Sequence, residues 1–144
     1  MSDCVLCAED GGALIWRNAA MRVVLVDDAM HPAYCRVIWN AHVAEMSDLT
    51  PAEQEAMMRA VLLVEQQMRA VMSPHKINLA SLGNMTPHLH WHIIGRWPDD
   101  VHFPQAIWGA LQRDPTAANL SARRAQLPAL QAAVHSALAA AFTG

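Results

Sequence analysis

Residues 87–94 read Pro87-His88-Leu89-His90-Trp91-His92-Ile93-Ile94. Imidazoles at every second position, separated by large apolar side chains, are the pattern of a strand whose two faces have different roles. Leu89, Trp91 and Ile93 bury on one side. His88, His90 and His92 stand on the other, about 7 Å apart, from two residues at roughly 3.4 Å rise each. A lone histidine on a strand is ordinarily a hydrogen-bonded polar residue, and His31, His75, His102 and His135 are read that way. Three in strict alternation are different, because that many unpaired rings are a poor use of a half-buried surface.

The segments around this strand set the fold class. Residues 13–18 and 21–27 are β-rich and separated by Ala19-Ala20, which predicts a hairpin. Residues 34–40 (Tyr-Cys-Arg-Val-Ile-Trp-Asn) form a third strand that ends at a loop carrying His42. Thr50-Pro51-Ala52-Glu53 combines a hydroxyl cap, Pro at the first helical position and Glu at the third, so a helix starts there. Its apolar stripe of Met57, Val61, Val64, Met68 and Val71 marks one buried face, with Glu55/Arg59 and Glu65/Arg69 paired on the wet side. Ser73-Pro74 ends it. Two further strands, 76–82 and 88–96, flank a Gly83-Asn84 turn, and a last helix falls within 121–142. The order β-β-β-α-β-β-α predicts an α+β fold: a five-stranded antiparallel sheet packed on one long helix, plus a C-terminal helix.

Composition narrows the function classes. The chain has 144 residues, 53% hydrophobic and 16% charged, enough apolar surface for one core without a disulfide scaffold. Residues 1–110 are read as the main domain and 111–144 as a helical extension of it. Ten Lys and Arg against thirteen Asp and Glu leave no basic footprint for a nucleic-acid polymer or an anionic membrane. The N-terminus has no apolar signal region, and no uncharged run approaches the ~20 residues of a membrane span, so a cytoplasmic location is expected. A reducing compartment disfavours disulfides, which makes Cys4-x-x-Cys7 a metal or redox pair. Cys35 alternates with Val37 and Trp39 and is read as a buried thiol.

Two chemistries suit the histidine row. Three imidazoles can hold a catalytic zinc with an open fourth position that activates water. Alternatively, one neutral ring attacks phosphorus and is later released, dividing a transfer into two easier steps. Cys4 and Cys7 help to choose, since with two imidazoles they complete a closed structural zinc site. His42, just past a strand end, offers a third ligand, and His88, at the edge of the row, offers a fourth; His90 is then central and free.

His88-Leu-His90-Trp-His92-Ile-Ile resembles the signature of the histidine triad (HIT) superfamily, nucleotide hydrolases and transferases acting at the α-phosphate. The resemblance extends over about residues 4–97, through Ile38-Trp39-Asn40-Ala41-His42 and Met46-Ser47-Asp48-Leu49-Thr50, and Phe103-Pro104 to Ile107-Trp108-Gly109 resembles a bacterial branch. It implies that His90 is the nucleophile that forms a nucleotidyl-histidine, and that His92 contacts phosphate. Structural zinc on Cys4, Cys7, His42 and His88, without an organic cofactor, is implied as well. Asn78 and Asn84 fall where the family places nucleotide contacts, and Asp27, with Asp28 as its competitor, where it places a ribose contact. A homodimer is implied too. The expected activity is hydrolysis of a nucleoside phosphoramidate or dinucleoside polyphosphate, with nucleotidyl transfer or nucleotide binding with little turnover as the alternatives. The chain departs from the family in having Asn84 for a usual Gln, Met85 for a small hydroxyl residue, Tyr34 where many members have His, and Gly95-Arg96 for Pro-Arg. Arg96 would share the triad's face and reach either phosphate or, as favoured here, solvent.

Overall fold

In the computed structural model, which describes residues 3–143, five antiparallel strands form one sheet in the order β1-β2-β3-β5-β4. They are β1 (Ala13–Arg17), β2 (Met21–Leu25), β3 (Tyr34–Trp39), β4 (Lys76–Ala80) and β5 (His90–Arg96). The helices are α1 (Val5–Ala8), α2 (Pro51–Met72), α3 (Ala117–Ala125) and α4 (Leu127–Ala141). The α+β architecture read from the sequence is therefore the observed one. Among the described residues no helix is long and apolar enough to cross a membrane.

The predicted capping box is present. Thr50 Oγ1 accepts from Glu53 N–H at 3.2 Å, and Glu53 returns the bond to Thr50 N–H at 2.8 Å. Such a cap contributes ~1 kcal/mol. At the other end Ser73 takes a left-handed conformation (φ 48°), donates its N–H to Arg69 O and hands over to Pro74, which cannot continue the helix. Met57, Val61, Val64 and Met68 are fully buried as expected, but Met72 closes the stripe; Val71 is only half-buried because the last step along the face is four residues long.

One face of the sheet receives α2 and α4. Met21, Val23, Cys35, Val37, Trp39, Ile77 and Ile93 meet Met57, Val61, Val64 and Met68 from α2 and Leu130, Val134 and Leu138 from α4. Cys35 is wholly buried, and burial pushes its thiol up to about 12. Trp91 and Trp97 also pack against this core, so neither belongs to the histidine face.

Two local readings are corrected. The expected single helix within 121–142 is two, broken at Gln126, because Pro128 in the first turn of α4 has no N–H for a continuous ladder. The strand expected over 88–96 starts only at His90, since His88 is drawn out of the pleat: its N–H goes to Thr86 O, and Leu89 pairs instead with Val43 and Trp39.

Candidate functional site

The face away from α2 is set by strand register. In β3, Tyr34, Arg36 and Ile38 lie opposite Ile94, His92 and His90 of β5. Even-numbered residues of both strands therefore share one surface, and it holds nearly all the chemistry of the chain.

The first group on that surface is a quartet. Helix α1, which carried no sequence signal, places Cys4 at its N-cap and Cys7 one turn later, so the two thiols converge. Cys4 Sγ lies 3.3 Å from His88 Nδ1, Cys7 Sγ lies 3.3 Å from His42 Nδ1 and 3.5 Å from His88 Nδ1, and the two Nδ1 atoms are 3.3 Å apart. All four ligand atoms fall within 4.8 Å of one another. A tetrahedral zinc with bonds of about 2.3 Å to sulfur and 2.0–2.1 Å to nitrogen requires ligand atoms about 3.3–3.8 Å apart. The donor set thus fits zinc in both chemistry and spacing. The outer shell fits too: His88 Nε2–H donates to Trp39 O at 2.6 Å, which leaves the Nδ1 lone pair aimed at the quartet. The reading that puts a metal on all three triad rings loses its geometry, because His88 turns toward the thiols and His42.

The second group is His90 with His92, whose ring centroids are 4.8 Å apart in an edge-on arrangement. His90 Nδ1–H donates to the His88 carbonyl at 2.7 Å, so the proton sits on Nδ1 and Nε2 carries a bare lone pair. His92 Nδ1 is 2.7 Å from the Tyr34 hydroxyl. Neither Nε2 atom is among the buried polar atoms left without a partner, so both reach the surface. Burial lowers the pKa of both rings; the backbone bond opposes this at His90, and the Arg36 cation reinforces it at both. His92 is pushed down to about 4. Both rings are therefore neutral at physiological pH. A cavity of about 260 Å³ opens beside His90 between the Ala44–Met46 and Ser81–Gly83 loops.

The other candidate nucleotide contacts are dispersed. Asn78 shares the triad face, but its Oδ1 accepts from Arg96 Nη1 at 2.8 Å. Asn84 is exposed on the β4–β5 loop, outside the residues that line the cavity. Asp27 is exposed and lines a separate hollow with Leu25, Pro32, Arg124 and Leu127, toward α4, while Asp28 caps its own turn by accepting from Met30 and His31 N–H. Neither acid lines the cavity beside His90. Arg96 does share the triad face, yet it is 2% exposed, which overturns the expectation of solvent. It is bound bidentate by Asp100 at 2.8 and 3.0 Å and also donates to Gln105 O, so it has no free donor edge for a phosphate.

Sequence reasoning missed three residues here. Arg36 and Tyr34 alternate with Ile38, a visible signal of a common face, but nothing local says which strand pairs with the triad. Trp108, from the loop beyond β5, sets its indole 5.0 Å from His92 and stays half-exposed. The histidines read as ordinary polar residues are hydrogen-bonded or packed: His31 Nε2 and His102 Nδ1 share a bond at 2.9 Å, His135 donates to Ile15 O, and His75 packs on Phe103.

Comparison with known proteins agrees with this geometry. The family model of the HIT domain matches residues 9–99. An AP-4-A phosphorylase of Mycobacterium tuberculosis is 26% identical over 109 residues, 72% of this chain and 56% of that protein, so the chain spans little more than half the length of the curated relatives it matches. A histidine triad protein structure from Bradyrhizobium japonicum superposes with a TM-score of 0.71 at 24% identity, covering 90% of this chain and 92% of the other. A Zn-bound histidine triad family protein from Mycobacterium smegmatis does so with 0.62 at 21%, covering 98% and 99%. At these identities the two structures show a shared fold.

Proposed function

This chain belongs to the HIT domain family, and on that premise we propose that it is a nucleotide hydrolase cleaving at the α-phosphate of nucleoside phosphoramidates or dinucleoside polyphosphates. The observation that carries the reading is the bond from His90 Nδ1–H to the His88 carbonyl, which leaves Nε2 as an unprotonated nucleophile at the open side of the sheet. A neutral ring is required, because a protonated one has no lone pair to give.

Nε2 of His90 attacks the α-phosphorus. A nitrogen–phosphorus bond forms, and the bond to the leaving oxygen or nitrogen breaks with its electron pair, which takes up a proton from solvent. The ring becomes a cation, and its Nδ1–H bond to the His88 carbonyl strengthens as the charge develops. Water then attacks phosphorus and gives up a proton, the nitrogen–phosphorus bond breaks, and a nucleoside monophosphate leaves the neutral ring. His92 donates to the phosphate oxygens throughout. Cys4, Cys7, His42 and His88 would hold zinc in a closed four-ligand site, where the ion would tie α1 to the loops that carry His42 and His88.

The test uses substrate labelled at the α-phosphate. Wild type should yield a trapped protein adduct and release monophosphate, and H90A should do neither; normal turnover by H90A sinks the mechanism. A second reading, transfer to phosphate instead of water, is supported by the name of the M. tuberculosis relative. The products separate the two, since hydrolysis releases a monophosphate and transfer a diphosphate. Nucleotide affinity without turnover would make the chain a binding module, as Asn84 and the 96% exposed Met85 would favour.

A further inference from the structure

Tyr34 is 3% exposed, and among the described residues its hydroxyl has one side-chain partner, His92 Nδ1 at 2.7 Å. Two proton arrangements satisfy that distance. In one, Nδ1–H donates to the phenol oxygen, and the phenol proton must then find another acceptor. None lies within hydrogen-bond distance among the described residues: of the charged groups that act on the phenol, the Arg36 guanidinium, 5.6 Å from the ring centroid, is a donor only, and the Asp28 carboxylate accepts from the Met30 and His31 N–H groups of its own turn and makes no bond to the hydroxyl. A buried hydroxyl proton without an acceptor is costly. In the other arrangement the phenol donates to Nδ1 and every group is satisfied.

We propose that Tyr34 is a positioning residue whose hydroxyl holds the His92 proton on Nε2, so that the neutral ring always meets the substrate's phosphate as a hydrogen-bond donor. The opposite tautomer would face the anion with a lone pair. A ring in this position has two ways to donate from Nε2, protonation or a fixed tautomer. The second suits a face that already carries the Arg36 cation, since it works without adding a charge. The role given to the phosphate rests on the hydrolase reading above; the tautomer does not.

The tautomer is read directly by nitrogen-15 NMR of the free protein labelled at histidine, with the His92 resonances identified by their loss in H92Q. The expected spectrum shows a protonated Nε2 and a hydrogen-bonded, unprotonated Nδ1, whose resonance moves in Y34F. A proton on Nδ1 in wild type overturns the inference whatever the turnover. In kinetics, Y34F should lower kcat/KM about tenfold, the size of one lost hydrogen bond. In an H92Q background, where the amide donates regardless of any tautomer, the same change should cost less than about twofold. A Y34F penalty undiminished by H92Q shows a purely structural role and overturns the proposal, as does an unaltered kcat/KM in Y34F alone. A wild type inert on every nucleotide instead overturns the hydrolase reading, while the spectrum still decides the tautomer.

Discussion

Removing the Asp100 carboxylate should produce one of the largest stability losses available outside the core. The side chain is almost fully buried and accepts five hydrogen bonds: Arg96 Nε at 2.8 Å and Nη2 at 3.0 Å, and the N–H groups of Trp97, His102 and Phe103. Asp100→Ala leaves the Arg96 guanidinium, itself 3% exposed at the side chain, as an uncompensated buried cation. Breaking one member of such a pair costs about 3–5 kcal/mol. At about 3 °C per kcal/mol for a domain of this size, the melting temperature should fall by roughly 9–15 °C. The same change frees the loop that sets Trp108 beside His92, so turnover should weaken in the folded fraction as well. The assay is calorimetric melting at pH 7, repeated across acid pH. Burial raises the Asp100 pKa but is outweighed by Arg96 and the N–H groups of His102 and Trp97, which hold it below the usual value. The stability it contributes is therefore present above the unfolded value near 3.9 and lost as pH falls through the folded one. The gap between wild type and D100A should be undiminished from pH 7 down to about 5 and narrow below about 4. A drop of less than about 3 °C at pH 7 would refute the idea that this pair anchors the loop.

Three further outcomes follow from the same geometry. Strong chelation, or Cys7→Ser, should lower the melting temperature and not act as a selective inhibitor, because a closed site contributes folding energy; full stability after verified metal removal would contradict this. The acid limb of kcat/KM should lie below the ordinary imidazole value near 6.5, since burial holds His90 neutral to lower pH; a limb above 7 would place the titration elsewhere. Sedimentation should report a dimer, because β4 has one unpaired edge and α2 presents a groove lined by Met58, Leu62 and Leu63; a monomer at micromolar concentration would exclude that assembly.

Much of the site was legible because it rests on short-range rules. Alternation alone assigns Leu89, Trp91 and Ile93 to the core side of the sheet, and the Thr50-Pro51-Ala52-Glu53 box locates the start of α2 to the residue. The metal quartet was legible from chemistry, since two thiols one helical turn apart ask for imidazole partners, and the four chosen are the four that converge. The choice between Asp27 and Asp28 was not. Asp27 stands where a family pattern places a ribose contact, but its direction depends on how the turn before Pro32 is closed, and Asp28 closes it by accepting from the N–H groups of Met30 and His31.

By itself, then, the sequence determined which residues share a face, where α2 begins, and that imidazoles and thiols are the groups gathered around the sheet. Those are properties of the pleat, the helical period and side-chain chemistry, each written within a few residues. Tertiary structure alone decided what stands beside the triad. Tyr34 reaches His92 across 58 residues because β5 inserts between β3 and β4, and Arg96 turns from solvent to Asp100 because the loop after β5 folds back over it. Strand order and loop closure are set by the summed burial of the whole core, so no local stretch of the chain encodes them.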